Sequence, residues 1–298
     1  MVHRPWHAQF ADASSECVAR RVAEVPICFK VTHQQRLPTE MRIATWNVNS
    51  LAVRLPQVLD WLGAHRPDAL CLQETKLTDD KFPQAALAEA GYAAQWFGQK
   101  TYNGVALLTP ATAAPVEAVV KNIPGFFDEQ ARVIAATLGD TRVIGAYFPN
   151  GQSVDSDKFQ YKLAWLEALQ TWMADELQAH RRLVLVGDFN IAPEDRDVHD
   201  PVAWAGQVLC TPQERAHFQR LLSLGLHDAY RLFEQAPKSW SWWDYRNLAF
   251  RKNQGLRIDH ILVSDALKPA VSACTIDKLP RKHERPSDHA PVMVTLND

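Results

Sequence analysis

From Met41 onward the chain alternates short apolar runs with longer stretches of helical period, and no internal repeat or low-complexity segment interrupts the series. Runs at 42–47, 69–73, 104–109, 132–138, 142–147, 183–187, 257–264 and 290–296 predict strands. Several are apolar on both faces. LVLVGD, with Leu183 to Val186 unbroken, is too short for a helix and reads as a strand covered on both sides. Leu55, Val58, Leu59 and Leu62 follow helical spacing, with Pro56 accommodated in the first turn and a stop over 63–67. A second helix is predicted over 158–180, with Leu163, Leu166, Leu169, Trp172, Met173 and Leu177 on or near its buried side. A third covers 212–224 and ends at Gly225. Helices laid over such strands make a layered α/β protein, not a bundle or an all-β barrel. Residues 1–40 show neither period and carry mixed charges, so they read as a disordered N-terminal extension or a start codon placed too early, and 41–298 as one domain.

Composition narrows the function. With 298 residues and 47% of them apolar, the chain can bury one large core or two ordinary ones. Lys plus Arg is 32 and Asp plus Glu is 34, a net charge of −2, and no polybasic block is present. Binding to nucleic acid or an anionic membrane by bulk charge is thereby excluded, so a phosphate-bearing partner has to be held locally. No apolar run approaches the roughly 20 residues that span a bilayer. Cys17, Cys28, Cys71, Cys210 and Cys274 are odd in number and contain no CxxC pair. That usage argues against a disulfide framework and a structural zinc site, predicts a reducing cytoplasm, and leaves Cys71 and Cys210 as ordinary core or surface thiols.

Polar residues recur where the apolar strands end: Asn47 after RIATW, Glu74 after ALCLQ, Asp188 and Asn190 after LVLVG, Asp259 in LRID, and Asp288-His289 before APVMV. Taken singly, an Asn here is more often a turn or capping residue, an Asp-His pair a surface pair, and Tyr147 an ordinary strand residue. Recurrence at separate strand ends predicts one sheet edge that gathers several carboxylates, two amides and a histidine. Such a cluster repels itself unless a cation or fixed donors neutralise it. The donors are oxygen-rich, without a thiolate pair or an HExxH helix, so the expected ion is hard, Mg²⁺ or in substitution Mn²⁺. Magnesium keeps open positions for phosphate oxygens, which points to phosphate-ester or phosphodiester hydrolysis.

WNVNS, LQETK, GVALL, YFPNG, GDFNIAP, SWSWWDYR, GLRIDHIL and PSDHAPV occur in the order seen in exonuclease III proteins, and the chain resembles that family from Met41 to its C-terminus. The resemblance implies a deoxyribonuclease I-like four-layer α/β sandwich and a Mg²⁺-dependent DNA-repair nuclease of the endonuclease/exonuclease/phosphatase superfamily. It makes Glu74 the main metal ligand, with Asn47 and Asp288 nearby and Asp259 a further contributor. Asp188 becomes the general base or water-orienting group, and Asn190 fixes the nucleophile and a phosphate oxygen. His289 donates to a non-bridging oxygen with Asp259 as its partner, and Tyr147 contacts the phosphate or the leaving oxygen. Arg132 and Lys76 are the cations expected nearby.

The segment 239–246 holds Trp240, Trp242, Trp243 and Tyr245, and Arg246, Arg251, Lys252 and Arg257 follow. Aromatics beside cations suit nucleic acid. Trp242 is the expected contact by resemblance, with Arg246 and Arg257 beside it, while about half of these tryptophans should be core. One departure is Leu209, where relatives that incise abasic sites efficiently carry Gly or Ser. It predicts dominant 3′-end processing and weakened abasic incision. The expected partner is double-stranded DNA with 3′ ends, nicks or abasic sites, acted on by a monomer without a membrane. Two rival functions fit the same residues less well: a superfamily phosphatase acting on inositol phosphates or sphingomyelin, and a DNA-end binding module that has lost catalysis.

Overall fold

The computed structural model describes residues 40–297. The extension expected over 1–40 lies outside them except for Glu40, which opens the first strand. The chain order is β1 (Glu40–Asn47), α1 (Leu51–His65), β2 (Ala69–Gln73), α2 (Gln84–Glu89), β3 (Tyr92–Phe97), β4 (Val105–Pro110), β5 (Glu117–Lys121), β6 (Val133–Leu138), β7 (Thr141–Tyr147), α3 (Asp157–Ala179), β8 (Arg182–Asp188), α4 (Pro201–Trp204), α5 (Pro212–Ser223), β9 (Leu226–Asp228), β10 (Asp259–Ser264), β11 (Val271–Ile276) and β12 (Val292–Asn297). Helix α1 starts at Leu51, a turn earlier than its spacing predicts, so Pro56 sits in the second turn on the exposed side.

Two six-stranded mixed sheets form, ordered β11-β12-β1-β2-β4-β3 and β5-β6-β7-β8-β10-β9. Their facing surfaces meet in one core, with Ile43, Cys71 and Leu107 from the first sheet against Ile134, Val184, Val186 and Ile261 from the second. The outer face of the first sheet packs Trp46, Leu70 and Leu72 against Leu51, Val58 and Leu62 of α1. That of the second packs Leu183, Leu185 and Leu262 against Trp165, Leu166 and Leu169 of α3 and Phe218 and Leu221 of α5. This is the expected four-layer α/β/β/α sandwich. Each fully buried aliphatic side chain in these layers contributes roughly 1.5–3 kcal/mol.

Two βαβ crossovers bring four strand ends to one edge. β1 and β2 run parallel, joined by α1, and β7 and β8 run parallel, joined by α3, so all four finish at their carboxyl ends on the same side of their sheets. In open α/β sheets that edge is where ligands bind. The sheets approach closely beneath it: a Cβ on Gly145 of β7 would stand 2.8 Å from Cys71 Sγ of β2. Among the described residues no helix is long and apolar enough to cross a membrane.

Candidate active site

Strand periodicity aims the polar residues. Ile43 faces the inter-sheet core, so Thr45 and Asn47 share its face; Val184 and Val186 do the same for Asp188, and Ile261 for Asp259. Register completes the row, since Asp188 lies opposite Tyr147 on β7 and opposite Asp259 on β10. Gly187 permits that register: a Cβ there would fall 1.8 Å from the Ala146 carbonyl oxygen. Glu74 and Asn190 both adopt left-handed backbone (φ 53 and 49), which turns their side chains back over the strand ends at a local conformational cost.

These residues converge. The Asn47 amide donates to Glu74 Oε1 (2.8 Å) and to Asp188 Oδ2 (2.9 Å). Asp188 Oδ1 accepts from the backbone N–H of Asn190 (2.9 Å). His289 Nδ1 donates to Asp259 Oδ2 (2.9 Å), while its Nε2 stands 3.7 Å from Asp188 Oδ2. Ser287 fastens the histidine to the first sheet: its Oγ donates to the Asn47 carbonyl (2.7 Å) and accepts from His289 N–H (3.2 Å). Burial pushes the Asp188 carboxyl up to about 7, with the charges of Asp259 and Glu74 adding to it and His289 and the Asn47 amide opposing. Burial alone would disfavour a charged imidazole at His289, but the Asp259 and Asp188 carboxylates outweigh it and raise the ring to about 10. Burial, then the charges of Glu74 and Asp188, hold the Tyr147 phenol well above its usual range, so it remains a neutral donor.

Asp288 stands one ring further out. Its Oδ1 accepts from Asn49 (3.0 Å) and its Oδ2 from the Trp242 indole (3.0 Å), so it orients those two side chains. Both Asp259 oxygens face His289 Nδ1, which places that carboxylate as the histidine's partner. Lys76 Nζ pairs with Glu74 Oε2 (2.8 Å) and donates to Asn49 Oδ1. Arg132 lies with its guanidinium 4.9 Å from the Tyr147 ring centre and donates to the Tyr147 carbonyl (3.2 Å) and Tyr161 hydroxyl (3.2 Å). Arg132, Tyr147 and Asn150 also line a groove of about 580 Å³ beside the site, with Gln99, Asn103 and Lys158.

Arg257 corrects the sequence reading. Expected on the DNA face, it is fully buried, donating to Asp197 (2.7 Å) and paired with Asp228 (2.8 Å), so no N–H fork is left to face a phosphate. Arg246 is open to solvent and forked onto Asp244. Trp242 is half-buried, whereas Trp240 and Trp243 belong to a small core with Ala249 and Ala290. Sequence reasoning passed over Asn49 and Asn150, although both stand inside WNVNS and YFPNG, and over Ser287 in PSDHAPV. It also passed over Lys162, which carries no local signal because a charged helical residue reads as solvated, and over Glu214, whose signal was the capping-box spacing Thr211-x-x-Glu214 at the start of α5.

The pit gathers the carboxylates of Glu74, Asp188, Asp259 and Asp288 against the cations of His289 and Lys76. Carboxylate oxygens of Glu74 and Asp188 and the ring of charged His289 lie within 4.8 Å of one another; the two carboxylates can offer ligand atoms, and the Asn47 amide brackets them. Hard oxygen donors in excess negative charge fit a divalent cation.

A model of the endonuclease/exonuclease/phosphatase family matches residues 44–289, which contain every side chain of the pit. The chain belongs to that family. It is similar to exodeoxyribonuclease III of Haemophilus influenzae, 36% identical over 265 residues that cover 85% of this chain and 98% of the relative. Among solved structures it is similar to the 3′ phosphatase NExo from Neisseria bound to a product DNA hairpin, 49% identical with a TM-score of 0.83, covering 85% and 98% of the two chains. An AP endonuclease from Archaeoglobus fulgidus is 35% identical with a TM-score of 0.82, over 86% and 99%. Within the endonuclease/exonuclease/phosphatase family the chain is an exonuclease III-like DNA repair nuclease, and nucleases of this kind depend on a divalent metal.

Proposed function

We propose that the chain hydrolyses phosphate esters at the 3′ ends of duplex DNA, including 3′-phosphates and terminal phosphodiesters, with Mg²⁺ as its cation. The observation that carries this reading is the corner formed by Asp188, Asn190 and His289. His289 Nε2 is 3.7 Å from Asp188 Oδ2, near enough for charge attraction and too far for a hydrogen bond, so its N–H is open to a phosphate oxygen. Asp188, carrying a raised pKa, orients the attacking water and takes its proton. The Asn190 amide, braced on the Phe148 carbonyl (3.0 Å), holds the water and a phosphate oxygen in line. His289, charged and kept in one tautomer by Asp259, donates to a non-bridging oxygen as negative charge grows there. Tyr147 presents a neutral hydroxyl toward the leaving oxygen. Glu74, with Asn47 and Asp188 beside it, would hold the cation, which supplies charge neutralisation at the phosphate when bound.

Leu209 supports the preference for ends over internal abasic sites. It is buried and packs in the same apolar cluster as Ala192, Leu256 and the inner side of Trp242, filling volume that Gly or Ser would leave open. The NExo relative, at 49% identity, is a 3′ phosphatase, which favours the same substrate. The protein is expected to act as a monomer in the cytoplasm, a setting with which the buried free thiols Cys71, Cys210 and Cys274 agree.

Three duplexes at one Mg²⁺ concentration provide the test: a 3′-phosphate nick, a recessed 3′-hydroxyl end and an internal abasic site, each with an EDTA control. The expected order has both 3′-end reactions faster than abasic incision, all abolished by EDTA. Abasic incision as fast as end processing would overturn the substrate preference, and EDTA-insensitive binding without product would overturn the enzymatic reading.

A further inference from the structure

Beneath the pit lies a charged pair that the mechanism does not use. Lys162 of α3 and Glu214 of α5 are both 0% exposed and form an ion pair between the two helices. An ammonium has three N–H donors, and Lys162 spends them on the Glu214 carboxylate, the Asn190 carbonyl (2.7 Å) and the Asn150 carbonyl (3.2 Å). The two asparagines are also bonded through their side chains, Asn150 Nδ2 donating to Asn190 Oδ1 (3.0 Å). One buried cation thus anchors the backbone of both.

Glu214 reaches the other way. Its carboxylate accepts from Leu209 N–H (3.0 Å), Thr211 N–H (3.0 Å) and Thr211 Oγ1 (2.7 Å). Asn190 and Leu209 are both non-glycine residues in left-handed backbone, at φ 49 and 77, conformations that persist only where the surroundings over-determine them. Their loops are also stitched directly, Ala192 N–H donating to the Leu209 carbonyl (2.8 Å). The carbonyls after Asn190 are held in the same fashion, Ile191 by His260 Nε2 (2.9 Å) and Ala192 by Arg215 Nε (3.1 Å). The loop leaving β8 is suspended from side chains on three other segments.

We infer that the Lys162–Glu214 pair is a positioning device that sets the Asn190 amide against Asp188 and couples it to the Leu209 loop. This rests on the proposed role of Asn190. Burial excludes any contact of the pair with substrate, so neither member is a catalytic residue. Nor does the fold alone require it, because buried ion pairs are often replaced by apolar residues of similar volume without loss of stability. What an apolar pair cannot do is pull two carbonyls to one point.

Lys162→Met alone would leave Glu214 buried without a counter-charge, so the informative variant is Lys162→Met/Glu214→Gln, which keeps an acceptor for Thr211. The readouts are Tm, kcat and KM for release of a 3′-phosphate from duplex DNA with Mg²⁺, in the wild-type and the Asn190→Ala backgrounds. The expected result is a folded variant with Tm near wild type, kcat reduced on the order of 100-fold and KM changed by less than about threefold. In the Asn190→Ala background the same double substitution should cost little further, because the residue it acts through is gone. A folded variant with wild-type kcat, or losses that simply multiply across the two backgrounds, would overturn the inference. If this variant does not fold, Lys162→Met/Glu214→Met takes its place under the same criteria. A wild-type protein that releases no phosphate with Mg²⁺ would instead refute the proposed function, a result distinguishable from either of these outcomes.

Discussion

Two buried charge clusters lie a few residues apart in this molecule, and they are built on opposite rules. In the first, Arg257 meets Asp197 and Asp228, Arg231 adds a second bond to Asp197, and His260 accepts from Arg257, so each carboxylate is matched to a guanidinium. In the second, the four carboxylates of the pit have His289 and Lys76 as their ion-paired cations among the described residues, and the Asp188 pKa rises through burial first and then through the charges of Asp259 and Glu74. A matched network holds backbone segments together, here the 194–199 turn, β9 and β10. An unmatched one waits for charge from outside, and its imbalance is what marks it as the reacting site. Charge burial as such therefore does not separate a scaffold from a site; the sum of the charges does.

The largest break in the comparison should come from the unmatched cluster. Asp188→Asn removes the proton acceptor while relieving carboxylate repulsion, so kcat is expected to fall on the order of 10³-fold with Tm unchanged or raised, read by steady-state kinetics and calorimetry. The matched cluster should respond in the opposite sense. Arg257→Met strands the Asp228 carboxylate and leaves Asp197 with Arg231 alone, and should cost about 3–5 kcal/mol of unfolding free energy in urea, with little change in kcat per folded molecule. If Arg257→Met instead weakened DNA binding at unchanged stability, a structural role for this arginine would be wrong.

A third effect sharpens the matched side by pH. Burial, then the Arg257 charge, lowers the His260 pKa to about 4, so the folded protein keeps this ring neutral where the unfolded chain protonates it below about 6.5. The unfolded state binds the extra proton, and this contribution is complete above pH 6.5 and lost as pH falls toward 4, by up to about 3 kcal/mol. Urea unfolding at pH 7.5 and 5 should show a smaller drop for His260→Gln than for the wild type. The smallest effect belongs to the unmatched side: saturating Mg²⁺ should raise the wild-type Tm by a few degrees, about 2.7 kcal/mol at 100 times Kd, and raise that of Glu74→Gln less. Equal shifts in the two proteins would move the cation away from Glu74.

The strands legible from hydrophobic pattern are β1, β2, β4 and β12 of one sheet and β6, β7, β8 and β10 of the other, the interior strands in both cases. The strands that escaped, β3, β5, β9 and β11, are the four sheet edges. Interior strands are covered by the facing sheet and by helices, which demands an unbroken apolar run. Edges are half in solvent, as in β5 (EAVVK), where four of the five residues are exposed, or very short, as in β9, and their sequences carry no such demand.

The site divides along the same line. Strand-end polar residues were readable because a period of two fixes which face a side chain takes, and the apolar run before Asn47 and Asp188 and after Asp259 marks that face as inward. Which cations stand near them was not. Arg257 and Arg246 sit in the same stretch of chain and look alike, yet one is sealed against Asp197 and Asp228 and the other is 83% exposed. Lys162 carries a helical spacing that fits either solvent or core, and only the packing of α3 on α5 brings Glu214 to it. Sequence determined the layers, the inward faces and the acidic strand ends, since those arise from local periodicity and residue chemistry. The pairing of charges was decided by tertiary structure, because attraction between ions depends on distance and burial, and neither is written in the order of residues along the chain.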